Sequence, residues 1–556
     1  MQKFGRPSGH RRTTLLIAAS TAAILFSAPG TAGAAPADPP VLAPHTTFTM
    51  QPDGSSGLTS SGAEIPNIDS DKATIRTYYN ADKNGIASKT SSPYITQMNQ
   101  IEQAILAAAP NPAPAPNLAI VFDADDTTLM TYDMEDGAMH FNFDPTLQNQ
   151  WVQNRLFPAT PGMVDVVNTL AARGYNIFGI TGRTDDQEAA TLQNLQDVGY
   201  TAFNSDNFFT KYKTTPKPDY LDCNSGVEPD DPAKCTTVEY KAGTRKHIQD
   251  PVADGGLGMT IVGNIGDQFS DLQGGYAARS VKLPNPTYYL PSADIKGAPS
   301  TDSQLTPRTD FTMAPDGSSG ATEGGEGIPN IDSVKATIRT YYGATNGIAN
   351  KDASPYISEM KGIAATWAGE VKDRCARAIR HDKVPAVVFD ADDTTLWTYD
   401  MEDGAMKFNF DPTLQNTWVQ EERFPATPGM QRVVRAAHNA NCKIVGLTGR
   451  NNGQRTATLD NLAKYYYDKK TDQPLFRSQY YFTKWTSTDT PPAYVNCAQD
   501  SDPTKCSTIE YKSSTRKYVK QHFGFKIVAN FGDQFSDLIG GYGPAVKLPN
   551  PTYYLP

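Results

Sequence analysis

The amino-acid sequence predicts an α/β protein of two tandem domains, each a doubly wound parallel sheet. Three observations lead there: a chain too long for one core, a duplication that covers most of it, and short apolar runs alternating with helical stretches. The chain has 556 residues, 38% hydrophobic and 20% charged, a composition typical of soluble globular proteins. Single cores stop growing at ~250–300 residues, so two domains are expected.

The chain opens with Lys3, Arg6, Arg11 and Arg12, then an apolar run from Leu15 to Phe26, then small residues through Ala32-Gly33-Ala34. That order is the pattern of a cleavable signal peptide over residues 1–34. The pair Arg11-Arg12 leaves both general secretion and twin-arginine export open. No later stretch approaches the ~18 uninterrupted apolar residues of a spanning helix, so a secreted, extracellular protein is expected, without membrane association after cleavage. Removing those 34 residues takes away four positive charges and no acidic ones, moving the net charge from −10 to −14. Such a surface repels polyanions, and no nucleic-acid partner is expected. A small phosphorylated substrate can still be drawn in by a local metal and lysine.

Long strings recur in the same order in the two halves. PDGSSG begins at Pro52 and Pro315, ATIRTYY at Ala73 and Ala336, VFDADDTTL at Val121 and Val388, GDQFSDL at Gly266 and Gly532, and LPNPTYYLP at Leu283 and Leu548. Solenoid repeats have periods of ~20–50 residues, so this far longer period is a whole domain copied once. The expected organisation is a flexible segment at 35–64, a first domain at 65–291, a linker and Gly/Ser-rich segment at 292–327, and a second domain at 328–556.

Within a copy, apolar runs at Leu118 to Phe122, Tyr175 to Ile180, Met259 to Val262 and Ser280 to Leu283 read as strands separated by helices, the alternation of a parallel sheet. In such sheets ligands sit beyond the carboxyl ends of the strands. After the first run comes Asp123-Ala124-Asp125-Asp126-Thr127, whose alternate carboxylates can face one crevice. After the second comes Thr181-Gly182-Arg183, with a hydroxyl and backbone amides suited to a phosphoryl oxygen. Lys241 is read as preceding a helix, where it can offset charge on a nucleophile. After the third, Gly266-Asp267-Gln268-Phe269-Ser270-Asp271 adds carboxylates, the hard oxygen donors that Mg²⁺ prefers. The second copy repeats each element as Asp390, Asp392, Thr394, Thr448, Lys512, Asp533 and Asp537.

The order Asp-x-Asp-x-Thr, Thr, Lys, Gly-Asp-x-x-x-Asp resembles the haloacid dehalogenase (HAD) superfamily, and specifically its secreted acid phosphatases related to plant vegetative storage proteins. Trp151-Val152, FPATPGM from Phe157, ATLQNL from Ala190 and the closing LPNPTYYLP are similar to that subclass as well. The resemblance implies two HAD-like Rossmannoid domains that hydrolyse phosphate monoesters with Mg²⁺. Asp123 and Asp390 would form phosphoaspartyl intermediates, while Asp125 and Asp392 protonate the leaving oxygen and then activate water. Thr181 and Lys241, with Thr448 and Lys512, would hold the phosphoryl group. Mg²⁺ would be bound by Asp123, the Asp125 backbone carbonyl and Asp267, with Asp271 close by, and by Asp390, Asp392, Asp533 and Asp537 in the second copy. The segment between the first two motifs holds Tyr132, Phe141, Phe143 and Trp151, enough for a small aromatic rim but not for a full cap domain.

Each signal alone has a plainer reading. An EF-hand calcium loop beginning at Asp123 would need Gly at its sixth position, where Thr128 stands. Thr-Gly-Arg is commonly a turn, Lys241 alone reads as a solvated lysine, and Gly-Asp-x-x-x-Asp alone as a helix cap. Their joint occurrence, in order and twice, favours the catalytic reading. No histidine occupies the same position in both copies: His140 aligns with Lys407, His247 with Tyr518 and His438 with Ala171. Histidine nucleophiles and histidine-ligated metals are thereby disfavoured. A phosphotransferase using the same intermediate, or a catalytically silent storage or cell-surface binding protein, are the alternative functions.

Cys223 and Cys235 correspond to Cys497 and Cys506, whereas Cys375 and Cys442 face Ala108 and Tyr175 of the first copy. Cysteines that come and go in pairs in an exported chain imply the disulfides 223–235, 497–506 and 375–442.

Overall fold

The computed structural model describes residues 56–60, 62, 64–223, 234–291, 294–295, 319–325, 327–486, 489–497 and 506–555. The expected signal peptide and most of the expected linker lie outside them. In the first copy the elements are α1 (Ile68–Tyr78), α2 (Pro93–Ala108), β1 (Leu118–Phe122), α3 (Pro145–Gln153), α4 (Met163–Ala172), β2 (Asn176–Thr184), α5 (Glu188–Asp197), β3 (Phe208–Lys211), α6 (Thr237–Gln249), β4 (Thr260–Gly266), α7 (Phe269–Leu272) and β5 (Ser280–Lys282). The second copy repeats them as α8 (Ile331–Tyr342), α9 (Pro355–Arg380), β6 (Val384–Phe389), α10 (Pro412–Gln420), α11 (Met430–Asn439), β7 (Lys443–Asn451), α12 (Arg455–Ala463), β8 (Tyr467–Asp468), β9 (Gln473–Pro474), β10 (Tyr481–Lys484), α13 (Thr508–His522), β11 (Phe525–Gly532), α14 (Phe535–Leu538) and β12 (Ala545–Lys547). Among the strands of the described residues, the small antiparallel pair β8–β9 has no counterpart.

Each copy forms a five-stranded parallel sheet, in the orders β3-β2-β1-β4-β5 and β10-β7-β6-β11-β12. The central strand β1, LAIVF, is buried from its second residue onward, as a strand covered on both faces must be. The chain leaves β1 toward β2 on one side and later crosses to β4 on the other. The switch point therefore lies between the carboxyl ends of β1 and β4, where the topology opens a crevice.

Three local expectations are corrected. Strand β2 runs on to Thr184 and β4 to Gly266, because pairing continues to Lys211 and Lys282 of the neighbouring strands. Thr181 and Gly266 thus stand on strands rather than after them. Lys241 does not precede a helix but sits inside α6, which starts earlier because Thr236 and Glu239 form a capping box. Tyr132 is not a rim residue: it is fully buried and stacks on Tyr79 with ring centroids 4.0 Å apart, while Phe141 is buried as well. Phe143 is 68% exposed.

All three expected disulfides are present, and there are no free cysteines among the described residues. The two copies share one continuous apolar core, while the opposite face of each sheet carries its own smaller cluster. Helices α1 and α8 pack against each other between the copies. Segments from the two Gly/Ser-rich stretches cross over. Gly57, at φ +119°, lies against the Tyr341 ring, and Gly320, at φ +112°, against Tyr78, so closely that a Cβ on either would collide. Leu58 N–H donates to Glu359 Oε2 at 3.0 Å, and Ala321 N–H to Gln97 Oε1 at 3.0 Å.

Candidate active site

The carboxyl ends of β1 and β4 and the second turn of α6 bring Asp123, Lys241, Asp267 and Asp271 into one buried centre, with Thr181 buried on the neighbouring strand β2. Lys241 Nζ donates to Asp123 Oδ1 at 2.7 Å and to Asp271 Oδ1 at 2.6 Å. Asp271 Oδ2 accepts from Gln268 N–H at 2.8 Å, closing the first turn of α7 back onto β4. That turn requires Gly266, since a Cβ there would lie 2.4 Å from the Asp271 Cβ. The second copy reproduces the array: Lys512 Nζ donates to Asp390 Oδ1 at 2.7 Å and also to Asp537, and Gln534 N–H donates to Asp537 Oδ2 at 2.9 Å. Thr448 occupies the position of Thr181, and both threonines are fully buried.

Asp125 is turned into a fork. Arg183 Nη2 donates to its Oδ1 at 2.6 Å and Nε to both oxygens at 3.2 Å, while Nη1 donates to Thr191 Oγ1 at 3.1 Å. Arg183 also lies 4.6 Å over the Phe157 ring, so its planar group is fixed on both sides. Arg450 holds Asp392 in the same way, at 2.6 Å. Thr181 Oγ1 accepts from Arg183 N–H at 3.2 Å and Thr448 Oγ1 from Arg450 N–H at 3.2 Å, which leaves each hydroxyl proton to donate elsewhere.

Behind the nucleophile candidates, Asp267 Oδ2 accepts from Asn285 Nδ2 at 2.8 Å, Gln268 Nε2 at 2.8 Å and Tyr288 OH at 3.0 Å. Asp533 Oδ2 accepts from Asn550, Gln534 and Tyr553 at 2.8–2.9 Å. Asp126 and Asp393 adopt positive φ, at 46° and 44°. Each is held there by a threonine, Thr131 or Thr398, whose N–H and hydroxyl both donate to it. The carboxylates of Asn285's neighbours, Asp126 and Asp267, are thus bridged by one amide.

Electrostatically the centre is overloaded with negative charge. Burial pushes the Asp123 and Asp390 carboxyls well above their usual range; Lys241 and Lys512 oppose this, and the neighbouring aspartates add to it. Burial, with Asp271 adding, pushes Asp267 to about 6, and Asp533 is likewise at about 6. Asp126 rises to about 7 and Asp393 to about 8, chiefly through burial and then through Asp267 and Asp533. Burial disfavours the lysine charge, but the paired carboxylates outweigh it and hold Lys241 above its ordinary value.

Carboxylate oxygens of Asp123, Asp267 and Asp271 lie within 4.8 Å of one another, as do those of Asp390, Asp533 and Asp537. Three buried carboxylates around a single ammonium fit a hard divalent cation, which would offset the excess charge. Asp125 and Asp392 stand outside these triads, their side chains engaged by the arginines.

Sequence reasoning named the motif aspartates, threonines and lysines but assigned no role to Arg183, Asp126, Asn285 or Tyr288. The signal was available for the last two, since LPNPTYYLP is repeated in full at the end of both copies. The cleft of the second centre has a volume of about 740 Å³ and is bordered by Phe408, Phe410 and Trp485, and also by Asp69, a residue of the first copy. Among the described residues no helix is long and apolar enough to cross a membrane.

Comparison with known proteins gives a consistent picture. The family model described as HAD superfamily, subfamily IIIB (acid phosphatase), matches residues 74–291 and 348–556. The chain is 34% identical over 179 residues to the stem 28 kDa glycoprotein of Glycine max, covering 32% of this chain and 61% of that protein. It is 30% identical over 173 residues to acid phosphatase 1 of Solanum lycopersicum, covering 31% and 58%. It is 30% identical over 175 residues to vegetative storage protein 1 of Arabidopsis thaliana, covering 31% and 55%. The matched segments therefore span somewhat over half the length of these relatives.

Proposed function

The chain belongs to subfamily IIIB of the HAD superfamily, the acid phosphatases, and on that premise we propose that it is a secreted, Mg²⁺-dependent phosphomonoesterase with two working centres. The observation that carries the reading is the buried Asp123–Lys241–Asp271 array beside Asp267, reproduced atom for atom in role by Asp390, Lys512, Asp537 and Asp533.

In this mechanism Lys241 fixes the Asp123 carboxylate through Oδ1, which orients it for in-line attack on the phosphorus of a bound monoester. As the Asp123 oxygen bonds to phosphorus, the bond to the leaving oxygen breaks and Asp125 supplies that oxygen with a proton. Water then attacks the phosphoaspartate, Asp125 takes a proton from it, and inorganic phosphate leaves with the Asp123 carboxylate restored. The Thr181 hydroxyl and the Lys241 ammonium would hold the non-bridging phosphoryl oxygens. Arg183 orients Asp125 at the wall of the crevice. Bound by Asp123, Asp267 and the Asp125 backbone carbonyl, with Asp271 close by, Mg²⁺ would supply charge neutralisation for the phosphoryl group. Asp390, Asp392, Thr448, Lys512, Asp533, Asp537 and Arg450 perform the same parts in the second centre. The aromatic border of the 740 Å³ cleft suits small esters with aryl or nucleoside leaving groups.

The test is p-nitrophenyl phosphate hydrolysis by wild type, Asp123→Asn, Asp390→Asn and the double variant, with and without Mg²⁺. Each single variant is expected to keep part of the activity, and the double variant to lose ~10³-fold or more. Undiminished turnover in the double variant would overturn the nucleophile assignment. The likeness to a vegetative storage protein makes a storage role the second reading, and a wild type inactive on several esters would favour it.

A further inference from the structure

The segments that support Asp267 and Asp533 are held by the opposite copy. Asn67, which caps α1 of the first copy, donates through Nδ2 to Asn550 O at 3.1 Å and to Tyr553 O at 2.8 Å. The next residue, Ile68, donates its N–H to Pro551 O at 2.9 Å, and Asp69 Oδ2 accepts from Tyr554 N–H at 3.2 Å. Asn550 and Tyr553 are the residues whose side chains bond Asp533. The arrangement is reciprocal. Asn330, capping α8, donates to Asn285 O at 3.0 Å and Tyr288 O at 2.7 Å, Ile331 N–H to Pro286 O at 2.9 Å, and Tyr289 N–H donates to Asp332 Oδ2 at 3.3 Å. Asn285 and Tyr288 in turn bond Asp267.

We infer that each catalytic centre is completed by the other copy: Asn67 is a positioning residue for the centre around Asp390, and Asn330 for the centre around Asp123. Resting on the phosphatase reading, this extends it to how the sites are held. A chain segment without regular structure, such as LPNPTYYLP, keeps a side chain in place only when its backbone is anchored. For the second centre, besides the bonds of Gln534 to Tyr553 O and Leu555 N–H, two carbonyls are anchored by one amide group, Asn67, more than 480 residues away in sequence. Further cross-copy bonds fix the same helices: Lys72 Nζ donates to Phe408 O and Lys335 Nζ to Phe141 O. Asp69 moreover stands in the wall of the second cleft. The duplication is thereby retained as an interlocked pair, in which neither centre is whole within its own copy.

Asn67→Asp isolates the cross-copy bonds from the helix cap. Its remaining oxygen still accepts from Asp69 and Ser70 N–H, as Asn67 Oδ1 does now, but Asn550 O loses the Asn67 donor and Tyr553 O keeps only the longer bond from Gln534 Nε2 at 3.3 Å. The experiment uses the full chain in two backgrounds, Asp123→Asn and Asp390→Asn, each with one operative centre. With only the second centre operative, Asn67→Asp is expected to lower kcat on p-nitrophenyl phosphate about tenfold or more, with KM little changed. With only the first centre operative, the same change leaves activity as in its parent, although Asn67 lies in the first copy. Equal losses in both backgrounds, or none in either, would overturn the inference. Hydrogen–deuterium exchange provides a readout independent of turnover. Uptake in residues 548–555 should rise in Asn67→Asp while that in 283–290 does not, and unchanged uptake in both would sink the idea even if the parents prove inactive and the phosphatase reading itself fails.

Discussion

Asp71 is fully buried in α1, and neither of its carboxylate oxygens has a hydrogen-bond partner. At the matching position the second copy carries Val334, also buried. Burial pushes the Asp71 carboxyl well above its ordinary range, against the pull of Lys72 and Lys335, the charged groups that face it. A carboxyl raised in the folded state holds its proton there more tightly than in the unfolded chain. Stability is therefore greatest below the unfolded value of ~3.9 and is lost as pH rises toward the folded value. Asp71→Val is expected to stabilise the protein by about 1–3 kcal/mol at pH 4, the cost of an unsatisfied buried polar group, and by more at pH 7, where the unfolded carboxyl ionises and the folded one resists it. Thermal melts at the two pH values check this, and an equal gain at both would refute the titration argument. That Asp123 and Lys241 belong together was legible from the motif order, and they meet at 2.7 Å, although Lys241 stands inside α6 and not before it. Arg183 was not legible, since nothing in a Thr-Gly-Arg string says that the guanidinium turns back 58 residues onto Asp125.

At the scale of elements, the two copies end their second helix differently. In the first, α2 has 16 residues, and Arg173 donates to Leu106 O in its last turn at 2.6 Å and to Ala109 O just beyond it at 2.7 Å. In the second, α9 has 26 residues and is tied by Cys375–Cys442 to the residue preceding β7. That disulfide closes a loop of 67 residues, so Cys375→Ala/Cys442→Ala is expected to cost up to about 4 kcal/mol in guanidinium unfolding. Both cysteines lie away from the cleft, and turnover at 25 °C should be retained. Lost turnover with unchanged unfolding would contradict the purely structural role. The strand ends were the least legible part of the sheet. Thr181-Gly182-Arg183 reads locally as a turn, yet β2 continues through it because Thr184 pairs with Lys211 of a short edge strand that the apolar pattern did not reveal.

For the whole molecule, the shared core and the reciprocal helix contacts predict one cooperative unit rather than two beads on a linker. Scanning calorimetry is expected to show a single unfolding transition across both copies, with the calorimetric and van't Hoff enthalpies close to equal. Two resolved transitions would show that the interlock contributes little. The duplication, the α/β class, the disulfide pairs and the identity of the motif residues were all set by the sequence alone. Each depends on composition, on spacing or on internal repetition, which survive in one dimension. Which copy holds which centre was decided only by tertiary structure. Asn67 and Asn550 are 483 residues apart, and no local propensity distinguishes a helix cap that serves its own domain from one that reaches across to its twin. That choice depends on packing α1 against α8 and on the anchoring of the Asn550 and Tyr553 carbonyls by Asn67, energies that exist only once both copies have folded together.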